Sequence, residues 1–429
     1  MKILKTKSVI ALFATAFLVA GFVMSNMASA TVPGVNELLN VDSSGNQGNG
    51  ASYSTTISGD GRYVAFQSAA TNLVSGDMNG VPDIFVRDRT NDTTARVSVS
   101  TAGVEANAGS NVPSISYDGR YVLFFSSATN LGTTTAGAWY VHDMQSGTIN
   151  VASSTSEGTV ANRSSNKGVI SGDGRFVVFD STASNLVSGV GGTHLNVYRK
   201  DMKTGNIKLL SATSGGSEGN NGSLMPSISC DGGIVVFMTA ATDLVSGMGN
   251  HSIVVDNISA GNELSTIANS PDNSSEDTPV ISCNGNYIAY QSDATNLVSG
   301  DTNSASDVFE YNRLTEETTR ISMATSGTQG DNSSWMPSIS DDGRYVAFQS
   351  NATTLTSQLG SGTNIYVHDL KGGTTQLISI DRNGNKTTNS QVPVISMDGS
   401  YVSYQSTSQT LLSSGTVSYN GTYISESGF

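Results

Sequence analysis

The 429 residues of this chain include only 13% charged side chains and carry a net charge of −14. An acidic surface does not attract phosphate backbones or anionic lipids, so the charge argues against nucleic acid and membrane surfaces as partners and favours cations. Low charge can accompany disorder, but dense runs of β-branched and aromatic residues recur along this chain and predict a folded β protein.

Residues 1–30 are predicted to be a secretory signal peptide. Three lysines among the first seven residues give a positive start, Val9–Val23 is apolar, and Ala28–Ala30 supplies the small residues of a cleavage site. The apolar run is short for a membrane span, and no later stretch is apolar enough for one. We therefore expect an exported mature chain, residues 31–429, in the periplasm or outside the cell, with a net charge of −17 once the three lysines are removed.

One short phrase returns seven times along the mature chain. It consists of an apolar residue, Ser, any residue, Asp-Gly or Asn-Gly, and then an apolar run. It begins at Ile57, Ile115, Ile170, Ile228, Ile281, Ile339 and Ile395. The period of 53 to 58 residues contains only strand-like segments, which is typical of stacked or radial β arrays.

The first repeat divides into four predicted strands. Strand A is Thr55–Ser58, and the Asp-Gly that follows it favours a tight hairpin turn. Strands B and C, Tyr63–Phe66 and Ile84–Val86, are apolar on both faces, whereas strand D, Arg96–Val99, alternates like an outer edge. Small inner, bulky middle and alternating outer strands predict an all-β fold, a seven-bladed β-propeller with four-stranded antiparallel blades.

Repeat seven ends after its third predicted strand, Thr422–Ile424, and has no fourth strand of its own. The segment Leu39–Ile57 has the same internal spacing of apolar residues, Gly and Asn as the segment Val97–Ile115, which contains strand D of repeat one. We therefore predict that the N-terminal strand completes blade seven and removes both open sheet edges of the ring.

The repeat sequence also resembles a known family. Ser340–Phe348 reads SDDGRYVAF and Ser116–Val122 reads SYDGRYV, and both segments are similar to TolB-type, WD40-like propeller repeats. The resemblance covers residues 35–429 and implies the propeller fold. It implies no single function, because such repeats serve periplasmic scaffolds, peptidase gating domains and polysaccharide-degrading enzymes alike.

The loops at the two ends of the predicted blades differ. The A–B and C–D turns share one end and are short and repetitive, while the B–C loops at the other end are long and vary between repeats. Binding residues usually lie in variable loops on a rigid scaffold. We therefore expect the ligand face at the end that carries the B–C and D–A loops, around the mouth of the central channel.

Two B–C loops carry a pattern of side-chain oxygens at alternating positions. The pattern consists of Asp77, Asn79 and Asp83 in repeat one and of Asp301, Asn303 and Asp307 in repeat five. Such oxygens can converge on Ca²⁺, although no Glu stands where an EF-hand loop requires it. The alternative is a network of Asx turns that only orders a long loop.

A second candidate site is a ring of variable residues, each four positions before the isoleucine of strand A. Its members are Tyr53, Asn111, Asn166, Leu224, Asp277, Trp335 and Gln391. Blades five, six, seven and one would place Asp277, Trp335, Gln391 and Tyr53 on one arc. Aromatic faces beside an acid and an amide suit a carbohydrate or peptide, and the alternative is that the aromatic residues pack into the seams between blades.

Cysteine and histidine residues are few. Cys230 and Cys283 hold the same position of the A–B turn in blades four and five, and an exported protein can form a disulfide there unless their Cα atoms lie beyond the ~7 Å limit. Otherwise they are two independent small residues. His194 and His251 fall in the B–C loops of blades three and four, where two histidines can bind a metal or act as bases, but no third ligand is evident.

These observations predict an exported, non-catalytic propeller that binds a protein or a glycan on its B–C/D–A face, with Ca²⁺ as a candidate stabilising ion. The alternative is a polysaccharide lyase or glycoside hydrolase that uses the same face, with Asp277, His194 and His251 as candidate catalytic groups. The sequence contains no Ser-His-Asp order with a supporting motif and no phosphate-binding loop, so no catalytic residue is assigned.

Overall fold

A computed structural model describes residues 36–429 apart from 164, 250, 268–277, 359–360, 382 and 413–416. Seven four-stranded antiparallel sheets form a ring, so the predicted seven-bladed β-propeller is confirmed. The predicted signal peptide and Asp277 lie outside the described residues. Among the residues that are described, no helix is long and apolar enough to cross a bilayer.

Each blade has its strands in the order A, B, C and D from the channel outwards. The A strands are Ser52–Ile57, Ser110–Ile115, Gly168–Ile170, Ser223–Ile228, Val280–Ile281, Ser334–Ile339 and Ser390–Ile395. The B strands are Tyr63–Ser68, Tyr121–Ser126, Phe176–Ser181, Ile234–Thr239, Tyr287–Ser292, Tyr345–Ser350 and Tyr401–Ser406.

The outer half of each blade contains strands C and D. The C strands are Asp83–Asp88, Ala138–Asp143, Asn196–Asp201, Ser252–Asn257, Asp307–Asn312, Asn364–Asp369 and Gly421–Glu426. The D strands are Thr93–Arg96, Ile149–Val151, Ile207–Leu209, Glu263–Thr266, Glu317–Arg320, Thr374–Leu377 and, for blade seven, Glu37–Leu38. One short 3₁₀ helix, Ile258–Ala260, lies between strands C and D of blade four.

The core lies between the blades, because strands B and C are buried on both faces. Ala65 and Val86 of blade one pack against Val122 and Phe124 of blade two, and this kind of cluster recurs around the ring. Inside the blades, aromatic side chains of strands B and C stack in pairs, such as Phe124 on Tyr140 with ring centroids 6.0 Å apart. Each blade therefore depends on a neighbour on either side.

Strand D lies three residues earlier than the sequence predicts. Thr93–Arg96 pairs with Phe85–Asp88, whereas Val99 makes a bridge to Glu105 that closes a small hairpin in the D–A connection. A polar residue, Thr94, stands in this strand, and its hydroxyl donates to the carbonyl of Val41. Val41 belongs to the equivalent hairpin of blade seven. The alternating pattern that suggested Arg96–Val99 therefore marks the start of the hairpin, and the real strand has no apolar pattern.

The N-terminal strand completes blade seven, as predicted. Glu37 pairs with Ile424 and Leu38 with Tyr423, in an antiparallel register. The strand itself, Glu37–Leu38, starts two residues before the predicted Leu39, whose backbone N–H still donates to the carbonyl of Thr422 at 2.9 Å. The ring is thus closed by a strand from the opposite end of the chain.

Asn36 anchors this closing strand. Its amide donates to the carbonyls of Ile380 at 2.8 Å and Leu411 at 3.0 Å, and the buried Tyr404 hydroxyl donates to its side-chain oxygen. Only 5% of Asn36 is exposed, so its side chain relies on these three partners for hydrogen bonding.

We expect Asn36→Ala to lower the free energy of unfolding by about 2 kcal/mol, because it leaves the buried Tyr404 hydroxyl without an acceptor. Thermal and urea denaturation measure this loss. Ser44→Ala, at an exposed position of the same segment, is the control and should melt like the original protein. An Asn36→Ala protein as stable as the control would contradict the assigned closure.

Candidate functional site

The two ends of the central channel differ sharply, and the A–B turns close one of them. Hydrogen bonds of 2.8 to 3.2 Å join their backbones at six of the seven seams between neighbouring blades. The bonds run from Gly59 N to Tyr117 O, Tyr117 N to Gly172 O, Asp173 N to Cys230 O, Cys230 N to Cys283 O, Asp341 N to Met397 O and Asp398 N to Gly59 O. This end of the channel is narrow because the backbones of neighbouring A–B turns are in direct hydrogen-bond contact there.

Sulfur atoms bridge the axis at the narrow end. Cys230 and Cys283 form a disulfide with their Cα atoms 4.6 Å apart, within bonding range because the A–B turns of neighbouring blades converge at the axis. The Sγ atom of Cys230 lies 3.4 Å from the Sδ atom of Met397, which belongs to blade seven on the opposite side of the ring. Sequence analysis missed Met397, although it occupies the same variable position of the repeated Ser-x-Asp-Gly phrase as the two cysteines.

Beyond the sulfur atoms the channel widens into an apolar cavity of 150 Å³. Its wall includes the isoleucines that begin the seven repeats, Ile57, Ile115, Ile170, Ile228, Ile281, Ile339 and Ile395. The strongest repeat signal in the sequence thus corresponds to the channel wall.

The opposite end, where the D–A loops meet strand A, is built from β-bulges. In blade one the pairing of strands A and B shifts between Tyr53 and Thr56, and Ser54 between them adopts a left-handed φ of 51°. The same bulge places Val112, Met225, Met336 and Val392 at φ values of 49° to 55°. Left-handed backbone costs a non-glycine residue about 1–2 kcal/mol, so the surrounding structure must hold it.

Side chains from the preceding blade hold these bulges in place. The Ser54 N–H donates to Gln405 Oε1 at 3.1 Å, and the Val392 N–H donates to Gln349 Oε1 at 2.8 Å. The same bond joins Met336 to Gln291 and Met225 to Asp180. At the rim, the bulges of blades one, four, six and seven are therefore each tied to the preceding blade.

The predicted rim residues Trp335, Gln391 and Tyr53 are the second residues of strand A in the consecutive blades six, seven and one. Tyr53 is 40% exposed, Trp335 is partly exposed and Gln391 is exposed, while Asp277 lies outside the described residues. The neighbouring bulge residues Val112 and Met336 are 38% and 39% exposed. Sequence analysis missed these bulge residues, although the repeated X-Pro at Val112, Met225, Met336 and Val392 signals an interruption of the strand.

The predicted calcium loop of blade one surrounds an arginine. The Arg96 Nη1 atom lies 3.1 Å from Asp77, 3.5 Å from Asp83 and 2.9 Å from Glu105, measured to carboxylate oxygens. The Asn79 amide donates to Asp83 at 2.7 Å. Burial is the largest influence on Asp77 and Asp83 and raises the pKa of both carboxyls.

The corresponding loop of blade five is built in the same way. Arg320 Nη1 lies 3.3 Å from Asp301 and 3.4 Å from Asp307, and Asn303 donates to Asp307 at 3.0 Å. Gln329 takes the place of Glu105 and accepts from Arg320 at 2.7 Å. The structure thus brings both predicted sets of residues together around a guanidinium. The arginine was missed from the sequence because it belongs to strand D and not to the B–C loop that carries the oxygen ligands. Calcium binding stays a prediction.

The histidines divide into two groups. His142 and His368 are buried in strand C, where burial lowers the pKa of both imidazoles, and His368 Nδ1 lies 2.8 Å from Thr375 Oγ1. His194 and His251 lie in the B–C loops of different blades. Among the described residues, no group of three or more His, Cys, Asp or Glu is placed to hold a metal ion.

Comparisons with known proteins agree on the fold. No protein-family model matches the chain, and no curated protein does. The β-propeller domain of the Trilobed protease from Pyrococcus furiosus is 12% identical, with a TM-score of 0.55 over 88% of this chain and 95% of that domain. An oligogalacturonate lyase from Vibrio parahaemolyticus is 15% identical, with a TM-score of 0.52 over 92% of this chain and 98% of the lyase.

A putative TolB from Agrobacterium tumefaciens is 15% identical, with a TM-score of 0.42 over 78% of this chain and 94% of that protein. At identities this low, the first two structures show a shared propeller fold and nothing about ligands or reactions.

We expect Arg96→Met to lower the free energy of unfolding by about 3 kcal/mol or more, since it leaves buried carboxylates without their cation. Arg62→Met is the matched control: the Arg62 side chain is 35% exposed and pairs with Asp88 at 2.7 Å, so solvent screens the pair and its loss should destabilise the protein clearly less. Denaturant unfolding of both variants measures the difference. Equal losses would show that burial around Arg96 does not matter.

Proposed function

We propose that this protein is an exported, non-catalytic propeller of the TolB type that binds a protein or a glycan at the B–C/D–A mouth of its channel. The observation that carries the proposal is the exposure of Tyr53 and Trp335 on a rim whose backbone is held by bulges. Export is supported by the predicted signal peptide, and the family by the repeated Ser-x-Asp-Gly phrase.

The chemistry of the rim suits a polar ligand with apolar faces. Tyr53 pairs across the strands with Gln67, which is partly exposed. Trp335 pairs with Gln349, but that amide is buried and already accepts from the Val392 N–H. Aromatic faces stack on sugar rings or apolar side chains, and amides bond to hydroxyl or peptide groups. A rim that is already rigid loses little conformational entropy when it binds, which favours affinity.

Strained backbone at the rim also supports a binding role. Left-handed φ values at Val112 and Val392 lower stability, and β-branched residues adopt them rarely. Strain of this kind concentrates at functional sites, where it fixes side chains in the geometry that a ligand requires.

We expect the double variant Tyr53→Ala/Trp335→Ala to bind its ligand at least about tenfold more weakly, because it removes both aromatic faces, each worth about 1 kcal/mol or more. A glycan array and a pull-down from the periplasmic fraction identify the ligand, and titration of the two proteins then measures the affinity ratio. The melting temperature should change little, since both side chains are partly solvated.

Leu314→Ala is the matched control, because it removes a side chain that is 72% exposed in the C–D turn of blade five, at the end of the ring opposite the mouth. Equal binding by the rim variant and the control would remove the rim from the proposal. Turnover of any polysaccharide in a substrate panel would overturn the non-catalytic assignment and favour the lyase or glycosidase alternative.

Calcium in the loops of blades one and five is a further part of the proposal. In blade one, three carboxylates surround the single positive charge of Arg96, so negative charge is left over for a second cation.

We expect Ca²⁺ to raise the melting temperature and EDTA to lower it, with both responses lost in Asp77→Asn/Asp301→Asn. Differential scanning calorimetry and elemental analysis of the purified protein give the two readouts. Melting that ignores both reagents, in a protein without bound metal, would eliminate the calcium site.

A further inference from the structure

The fourth residue of each strand C faces the next blade and is apolar in most blades. Val86, for example, packs with Val122 and Phe124 of blade two, and Val141 packs with Val177 and Phe179 of blade three. Five blades carry Val or Ile at this position: Val86, Val141, Val255, Val367 and Ile424. Blade three has Arg199 there, and blade five has Glu310.

Glu310 is a buried acid for which the described residues supply too few partners. Only 5% of it is exposed, and its Oε2 atom has no hydrogen-bond partner among those residues. Burial, and then the charge of Asp342, raise the pKa of the Glu310 carboxyl to about 8. A carboxyl group held in this way at an otherwise apolar position lowers stability unless something binds to it.

Glu310 lines a cleft of 460 Å³ between blades five and six, at the end of the ring that carries the A–B and C–D turns. The other polar and charged groups that face the cleft are Tyr287, Asn312, Glu317, Thr319, Asp342, Arg344 and Lys371. Arg344 is already paired with Asp369 at 2.8 Å. Three acids therefore face the cleft against one remaining cation, Lys371.

A second cleft of the same construction provides an internal comparison. Between blades two and three a cleft of 490 Å³ is lined by Tyr121, Asp173, Arg175 and Lys203, in the positions of Tyr287, Asp342, Arg344 and Lys371. Its wall has Val141 where the other cleft has Glu310. The cleft is thus a repeated feature of the fold, and the buried acid is particular to blade five.

We propose that the cleft between blades five and six binds an organic cation, a primary ammonium or guanidinium group, with Glu310 as its counter-ion. A charge-assisted hydrogen bond to the Glu310 carboxylate satisfies a group whose Oε2 atom has no partner among the described residues, and the Tyr287 ring and Leu370 supply apolar surface for the alkyl stem. The same chemistry is presented by a small amine and by a lysine or arginine side chain of a partner. This site lies at the opposite end from the mouth and does not depend on the function proposed above.

The test titrates the full mature protein with n-butylammonium chloride and with Nα-acetyl-lysine amide, by calorimetry and by thermal shift. We expect both probes to bind and to raise the melting temperature, and Glu310→Gln and Glu310→Val to bind at least roughly tenfold more weakly. Stronger binding of the lysine derivative assigns the cation to a partner side chain, and equal binding assigns the site to the ammonium group alone. Val141→Ala, in the comparison cleft, should bind like the original protein.

Stability in the absence of probe separates a binding role from a structural one. Glu310→Val installs the residue that four other blades already use, so it should melt at the same temperature as the original protein or higher. A Glu310→Val protein that melts well below the original would show that Glu310 is structural and would overturn the proposal. The proposal would also be overturned if the probes bound Glu310→Val and the original protein with equal affinity, or if they bound neither protein.

The pH dependence of stability gives an independent readout. The pKa of Glu310 rises from its ordinary value of 4.5 to about 8 on folding, so the folded state holds a proton that the unfolded state has released. Stability should therefore fall as the pH rises from about 4.5 to about 8, and Glu310→Val should lose less over this range. Bound n-butylammonium should reduce the fall, because it stabilises the charged carboxylate.

Discussion

Every blade of this protein has two apolar faces, and only a closed ring can cover both. Val64, Ala65 and Phe66 of a single strand are all fully buried, so a blade left at an open edge would expose a whole layer of core. The short pairing of Glu37–Leu38 with Tyr423–Ile424 prevents this, because it joins the first described strand to the last blade. A contact of two residues thus protects the hydrophobic surface of blades that each span about 55 residues of sequence.

The two ends of the ring have different roles: the narrow end holds the blades together, and the wide end carries the residues that vary between blades. At the narrow end the A–B turns repeat, their backbones bond around the axis and the cysteines are bonded to one another. At the wide end strand A is interrupted by bulges, and Tyr53, Leu224, Trp335 and Gln391 differ from blade to blade. Repetition marks the positions that hold the ring together, and variation marks those that are available for binding. Glu310 shows that variation also reaches the seams, where one blade carries a carboxyl in place of valine.

Features that depend on a few adjacent residues were predictable. The Asp-Gly turns, strands B and C and the missing fourth strand of repeat seven follow from local patterns and their period. Strand D was misplaced because Thr93–Arg96 owes its position to contacts with the preceding blade, which leave no apolar pattern. The arginine inside the predicted calcium loop was missed for a related reason: Arg96 is distant in sequence from Asp77, and a search for oxygen ligands does not consider cations. The glutamines that hold the bulges come from neighbouring blades, 43 to 351 residues away.

The contact of Cys230 with Met397 spans the ring and obstructs the central channel at its narrow end. With sulfur atoms across the axis, the central cavity is closed at the narrow end and is not a continuous channel. A molecule that entered from the rim would have to leave by the same route, so its rate of dissociation would be set at the rim alone. The disulfide joins two neighbouring blades, whereas the contact across the axis is non-covalent, so passage from one side of the ring to the other would require Met397 to move away from Cys230.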